Sequence, residues 1–318
     1  TLYQHVFERY MKLQQNSDCL KQDLGIHSKG QSTLEVSIEP DGSYRDRETF
    51  TLSVSQSLTP LSSSKDNNNS TTGYVLWSTT PFFIKWLLYN EESQVFVKSG
   101  EIKIVDEDEG GQEFYGTLEI PAIFSQNEDG FHYVLELGAG VSGILPIVIG
   151  NYVDKYVCTD QRGILNILKK NIEDNVDVLN KRNVKTSTLK LNTSRRTERI
   201  VQLDVLPLDW EKFSPKKKDL DPLLFPQVGT SCVVHIVAMD VIYNDYLIRP
   251  FLLSLTELIK ICKQRDYQVK CFIGVQLRAQ DVLELFLEQA VMEFELNLYA
   301  IEDSCIDSSR FSLYYVDC

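Results

Sequence analysis

The chain is predicted to fold as an α/β protein, a doubly wound, Rossmann-like sheet of about seven strands with an N-terminal helix and a β-hairpin appended. Three observations predict it. Short apolar runs of strand length alternate with helical segments through the second half, as in a sheet covered on both faces. A glycine turn, Gly138, Gly140 and Gly143 at G-x-G-x-x-G spacing, follows the first of these runs. Asp160 then closes the next run, twenty residues after Gly140, where a doubly wound unit places an acid for a ribose.

Taken in order, residues 1–24 read as an amphipathic helix with Leu2, Val6, Phe7, Tyr10 and Leu13 on one face. Leu34–Ile38 and Phe50–Val54 alternate apolar and polar around Pro40-Asp41-Gly42, an antiparallel hairpin that covers the main sheet or props the mouth of a site. Residues 55–73, rich in Ser, Asn, Thr and Lys, form a loop. Gly73–Leu88 sets a polar Trp-Ser-Thr-Thr turn between apolar stretches, and Thr80-Pro81 opens a helix. Residues 91–130 carry the acidic run Asp106–Glu109 before Gly110-Gly111. They read as an insertion, a surface loop or a hairpin with strands near Ile102–Val105 and Phe114–Ile120.

The strands of the main sheet follow. Tyr133–Leu135 precedes the glycine turn, Ile144–Ile149 is a short helix, and Tyr156–Thr159 is a second strand. Gly163–Leu179 is a helix. Lys181–Arg199 holds seven basic residues, read as a mobile loop, with a patch for an acidic surface or RNA as the alternative. Val201–Leu208, Val233–Met239 and Gln268–Val275 are further strands, and Leu247–Gln264 and Gln280–Ala290 are helices. Phe213–Gly229, with Lys216-Lys217-Lys218 and three prolines, is a loop; Phe294–Ile301 and Arg310–Val316 close the sheet antiparallel. The expected division is an N-terminal extension, 1–72, and a main domain, 73–318, with insertions near 91–130, 181–200 and 212–230.

Composition narrows the function classes. At 318 residues, 43% hydrophobic and 24% charged, the chain is an ordinary globular one. No run approaches the ~18 apolar residues of a membrane span. It opens on Thr1, with no signal-peptide core, and is expected to be trimmed from a longer chain. Seven dispersed cysteines without C-x-x-C suggest reduced thiols in the cytoplasm or nucleus, where sequons at Asn68, Asn69 and Asn192 would stay unmodified. The net charge of −13 speaks against general nucleic-acid binding and makes a basic partner attractive.

The marked residues all fall at strand ends: Glu136 to Gly140, Asp160, Asp209-Trp210 and Asp240 to Tyr243. In an open α/β sheet, ligands collect there. The glycine turn alone fits a nicotinamide dehydrogenase or an S-adenosylmethionine enzyme. Glu136 tips the balance to the second, because a negative strand tip repels a pyrophosphate and welcomes a sulfonium and an ammonium. Other chemistries lack their residues. His5, His27, His132 and His235 show no metal spacing, and His235 reads as a satisfied core histidine. Ser142 lacks a G-x-S-x-G frame, and no Walker lysine follows the turn.

Trp77 in VLWSTT, the turn ELGAGVSGILP, the acid of TDQ, LDW at 208–210 and DVIY at 240–243 together resemble the seven-strand protein-lysine methyltransferases, methyltransferase family 16. Only the combination is specific, and the likeness spans nearly the whole chain apart from the insertions. The resemblance implies a class I methyltransferase sheet acting with S-adenosyl-L-methionine, which leaves as S-adenosyl-L-homocysteine; a single chain acting as a monomer is the default expectation. On this sequence it implies that Glu136, Gly138, Ala139 and Gly140 hold the methionine part, and Asp160 the ribose hydroxyls. It further implies that Asp209 and Trp210 frame the adenine and that Trp77 closes over the cofactor, with Met239 also a cofactor-binding residue. Asp240 and Tyr243, of the D-x-x-Y motif, would line the lysine channel, Asp240 orienting the amine. The implied substrate is a basic protein, a large-subunit ribosomal protein of the mobile stalk, with no membrane and no direct nucleic-acid substrate. Two other readings stay open, a nucleic-acid methyltransferase using the 181–199 loop and a non-catalytic cofactor-binding scaffold.

Overall fold

A computed structural model describes residues 1–16, 25–40, 48–58, 72–89, 94–99, 114–119, 130–191, 197–214, 216, 222–225, 231–302 and 304–317. Its centre is a sheet whose strands are β3 (Gln94–Ser99), β4 (Phe114–Glu119), β5 (Phe131–Leu137), β6 (Lys155–Asp160), β7 (Asn183–Lys185), β8 (Ile200–Pro207), β9 (Cys232–Met239), β10 (Gln268–Gln276), β11 (Asn297–Glu302) and β12 (Phe311–Asp317). Their order is β4-β3-β11-β12-β10-β9-β5-β6-β8-β7. The run from β7 to β10 is parallel, and β12, β11, β3 and β4 join antiparallel. The seven expected strands form the contiguous block from β11 to β8; β7 widens one edge and the β3–β4 hairpin the other.

Every residue of β9 is buried, because its Val-, Ile- and Ala-rich run lies between β5 and β10 with helices over both faces. One core joins α1 (Leu2–Gln15), α5 (Asp245–Lys263) and α6 (Gln280–Glu288) to the sheet through Leu135, Ile236 and Ile273. The opposite core joins α2 (Thr79–Tyr89), α3 (Ile144–Ile149) and α4 (Leu165–Asn175) through Val134, Tyr156 and Val205. A short α7 (Ser304–Asp307) leads into β12.

The apolar face of the hairpin β1 (Thr33–Ile38) and β2 (Phe50–Ser55) packs on the outer helices α2, α3 and α4. Asn171 and Asn175, one turn apart on α4, finish the β2 edge. Each amide accepts from a backbone N–H, of Ser55 and Ser53 respectively, and donates to the same residue's carbonyl, at 2.7–2.9 Å. The edge that would otherwise lie open is thereby paired by side chains. Just past β2, Gln56 donates to the carbonyls of Ser28 and Gln31 and accepts from Leu76 N–H. The hairpin thus props the segment that carries Trp77.

Several expectations are corrected. The first helix ends at Gln15, and residues 17–24 lie outside those described. Phe7 is not on its buried face but 58% exposed, while Arg9 is buried, its guanidinium donating to the carbonyls of Ile306 and Phe311 and to Ser312 Oγ. Within the 91–130 insertion, Phe114–Glu119 is a strand as expected, but its partner is Gln94–Ser99; Ile102–Val105 and Asp106–Glu109 lie outside the described residues. The basic stretch after α4 is built in, not loose, where it is described. Asn183–Lys185 joins the sheet, and buried Arg182 pairs with Asp154 and donates to the carbonyl of Ile200. Among the described residues no helix is long and apolar enough to cross a membrane.

Candidate active site

The chain runs outward from β5 to β6 and β8, then returns to place β9 on the other side of β5. That reversal opens a crevice at the carboxyl ends of β5 and β9. It holds a small cleft that opens to solvent. The cleft brings together Trp77, Gly138, Ala139, Gly140, Asp160, Trp210, Met239, Asp240 and Tyr243, nine of the residues expected to form one site.

The floor is the glycine turn. Gly138 and Gly140 have φ of +71° and +60°, left-handed values that cost a side-chain-bearing residue about 1–2 kcal/mol. A Cβ on Gly138 would also lie 2.7 Å from Val241 Cγ1 and 3.2 Å from the Trp210 ring, so glycine is what lets the turn pass under that wall. The N–H groups of Gly138 and Ala139 both donate to the Thr159 carbonyl, tying the turn to β6.

Asp160 stands at the tip of β6. One carboxylate oxygen accepts from Gly140 N–H at 2.7 Å and the other from Gln161 N–H at 2.6 Å. Burial pushes its carboxyl up to about 6, against the pull of those two hydrogen bonds. A carboxylate has about four acceptor positions, so two remain for a ligand.

Two tryptophans face the cleft. Trp77 is pinned by its indole N–H, which donates to the Thr72 carbonyl at 2.8 Å. Trp210 stands edge-on to Phe251, ring centroids 5.2 Å apart, and its buried indole N–H has no partner among the described residues. Leu208, Ile164 and Val241 complete an apolar wall.

Asp240 follows β9 with φ of +61°, and its side chain is 1% exposed. Both carboxylate oxygens accept from Arg278, at 2.6 Å for one and closer for the other. The same guanidinium donates to Gln276 Oε1 and lies 4.6 Å from the centre of the Trp77 ring. Such a bidentate, stacked arrangement is particular to arginine.

Two expected cofactor residues do not reach the cleft. Glu136 lies on the face of β5 that also carries Val134, under α2 to α4, and is buried. It accepts from the Tyr156 hydroxyl at 2.9 Å, and burial pushes its carboxyl up to about 7. The negative charge expected of it beside the ligand is therefore a buried acid whose carboxyl is raised close to neutrality. Asp209 turns outward: its carboxylate accepts from Glu211 N–H and pairs with Lys212, closing the turn after β8. Leu208 and Trp210, its neighbours, take the cleft side.

Residue-by-residue reading missed Gln161, Ile164 and the Thr72–Val75 segment, which line the cleft, and Arg278 beside it. Arg278 follows β10, so the rule that marked other strand tips could have flagged it; a lone arginine offered no second signal. His235 is a core histidine, but an incompletely satisfied one. Its Nε2 is 3.5 Å from His132 Nδ1, its Nδ1 has no partner among the described residues, and burial keeps it well below the usual imidazole range. Among the described residues no group of His, Cys, Asp or Glu could hold a metal ion.

Comparison with known proteins decides the family. A model of the lysine methyltransferase family matches residues 56–209. Ribosomal lysine N-methyltransferase 5 of Lachancea thermotolerans is 47% identical over 99% of this chain and 96% of its own length. The chain belongs to the lysine methyltransferase family. This methyltransferase is also 45% identical to the protein of the same name from Kluyveromyces lactis, over 100% of the chain and 97% of that protein. With one from Saccharomyces cerevisiae the identity is 40%, over 99% and 97%. The enzyme is a protein-lysine methyltransferase, and the crevice at the end of β5 and β9 is its candidate active site.

Proposed function

We propose that the methyltransferase uses S-adenosyl-L-methionine to methylate a lysine of a large-subunit ribosomal protein, the one that forms the mobile stalk. One observation carries the reading: a single cleft is lined by Asp160 over the glycine turn, by two tryptophans, and by Asp240. The residues fit that donor. Gly138 lets the turn pass close beneath Val241 and Trp210, Asp160 keeps two acceptor positions for ribose hydroxyls, and the Trp210 indole N–H is buried with no partner among the described residues. When bound, the sulfonium supplies an activated methyl group with a good leaving group.

The chain's own residues supply the rest. Ile164, Leu208 and Val241 offer an apolar slot for a flat ring, closed by Trp210. Trp77 forms the wall next to Asp240, where the acceptor amine would enter past Tyr243. Lysine is charged at neutrality, with a pKa near ~10.4 in water, so it must give up a proton to solvent before attack. Asp240, on the cleft wall, accepts a hydrogen bond from the amine and directs its lone pair. Most of the acceleration is then positional. The relatives' names favour a ribosomal protein, and a chain of net charge −13 suits a basic substrate.

The test is incubation with isotopically labelled S-adenosylmethionine and a ribosomal extract, followed by mass spectrometry of the labelled residue. Label on a lysine of one large-subunit protein is expected; label in RNA overturns the reading. Asp240→Ala should abolish transfer while S-adenosylhomocysteine still binds by calorimetry. Loss of that binding instead would remove Asp240 from the acceptor role.

A further inference from the structure

Asp240 does not stand alone at the acceptor side of the cleft. Its carboxylate is almost wholly buried and both of its oxygens are bound by Arg278. Arg278 in turn lies against Trp77 and is held by Gln276. One guanidinium, from the end of β10, therefore joins the cleft wall at Trp77 to the acid at the end of β9.

The chemistry of the acceptor gives that bridge a role. An isolated buried carboxylate would draw a lysine into the site, but in the wrong form. An opposite charge within ~4–6 Å raises an amine's proton affinity by about 1–3 pH units. The ammonium would then form a stable ion pair with no lone pair to offer. A guanidinium on the same carboxylate reverses the balance, since it brings a like charge next to the incoming ammonium and keeps that charge at every pH of interest. We propose that Arg278 is a positioning residue of the acceptor site, cancelling the Asp240 charge so that an arriving lysine is oriented without being trapped as its unreactive ammonium. The proposal rests on the reading of Asp240 as the acceptor-side residue.

Other charged and titratable groups surround the bridge. Tyr10 of α1 shares its electrostatic surroundings with Arg278, with Asp281 and Glu284 of α6, and with Arg310 ahead of β12. Burial pushes the Tyr10 hydroxyl up to about 12, so it stays neutral where the enzyme would be assayed. Arg278 is the cation that contacts Asp240 directly.

The experiment is kcat against pH for the wild type, Arg278→Lys and Arg278→Gln, with salt-washed large ribosomal subunits as acceptor and labelled S-adenosylmethionine as donor. Calorimetry with S-adenosylhomocysteine runs alongside. Arg278→Gln should move the acid limb of kcat upward by about 1 pH unit or more, the shift expected of one removed like charge. Arg278→Lys keeps a cation and should leave the limb in place, though kcat falls with the lost bidentate geometry. Product affinity should hold in both. Coincident limbs in wild type and Arg278→Gln, or equal shifts in Arg278→Lys and Arg278→Gln, overturn the proposal. If Arg278→Gln fails to fold, Arg278→Met decides. It also removes the cation while keeping the side chain's bulk, so its limb should likewise move upward, and an unmoved limb is fatal. Wild type that labels no lysine removes the acceptor reading itself, whereas lysine labelling with unmoved limbs removes Arg278 alone.

Discussion

Asp154 and Asp160 bracket the same strand and face opposite fates. Asp154, just ahead of β6, accepts from His132 N–H and pairs with Arg182, whose guanidinium also donates to the carbonyls of Tyr152 and Ile200. The Asp160 carboxylate, at the far end, accepts among the described residues from the N–H groups of Gly140 and Gln161 and meets no cation there. The first carboxylate spends its acceptors on holding β6 to its neighbours. The second is left with acceptors to spare, at the cost of a carboxyl raised to about 6. Open positions on a costly group mark a place where a ligand completes the hydrogen bonding. By the same measure Asp240 resembles the structural acid, which is why its cation, Arg278, needs a role of its own.

The contrast can be broken most directly by exchanging the two losses. Asp160→Ala should weaken S-adenosylhomocysteine binding by about 100-fold or more in calorimetry, the worth of two hydrogen bonds to a charged acceptor, with little change in melting temperature. Asp154→Ala should do the reverse, costing about 2 kcal/mol in chemical denaturation and leaving product affinity intact. That figure is reduced from a fully buried pair because Asp154 is 30% exposed. If Asp154→Ala loses product binding, the division of labour along β6 fails.

Acidity offers a finer cut. Asp160 offers its full set of acceptor positions, and the stronger charge-assisted hydrogen bonds, only when ionised, and burial raises its carboxyl to about 6. Product affinity should therefore fall about tenfold between pH 7 and pH 5, and Asp160→Asn should flatten that dependence. The smallest effect belongs to Glu136. Its folded carboxyl, about 7, lies above the ordinary 4.5, so the native state holds the proton more tightly. The stability this contributes is full below about 4.5 and is lost as pH rises through 7. Melting curves of Glu136→Gln should vary less with pH across that window, and an identical dependence in both proteins would show that Glu136 stays ionised.

Much of this architecture was legible from residue pattern. The β5, β6, β8, β9 and β10 strands announce themselves as apolar runs because both sides of a parallel sheet are covered, and Ile144–Ile149 is a helix to the residue. The glycine turn was readable because left-handed backbone leaves few other choices at Gly138 and Gly140. Phe7 misled because helical spacing groups it with Val6, whereas the packing of α1 turns Arg9 inward onto the carbonyls around α7 instead.

The sequence alone determined which strand tips carry acids, glycines and tryptophans, because covalent order places them there whatever the packing. Only the tertiary structure decided where each side chain points and what it meets. Glu136 and Asp160 are both acids at neighbouring tips, yet the two-residue period of β5 buries one beneath helices and the reversal between β5 and β9 leaves the other on the cleft. Arg278 and Asp240 are 38 residues apart along the chain and become partners because β10 lies beside β9. Charge state follows from such neighbours, and neighbours across a sheet are set by strand order, which no local pattern of residues records.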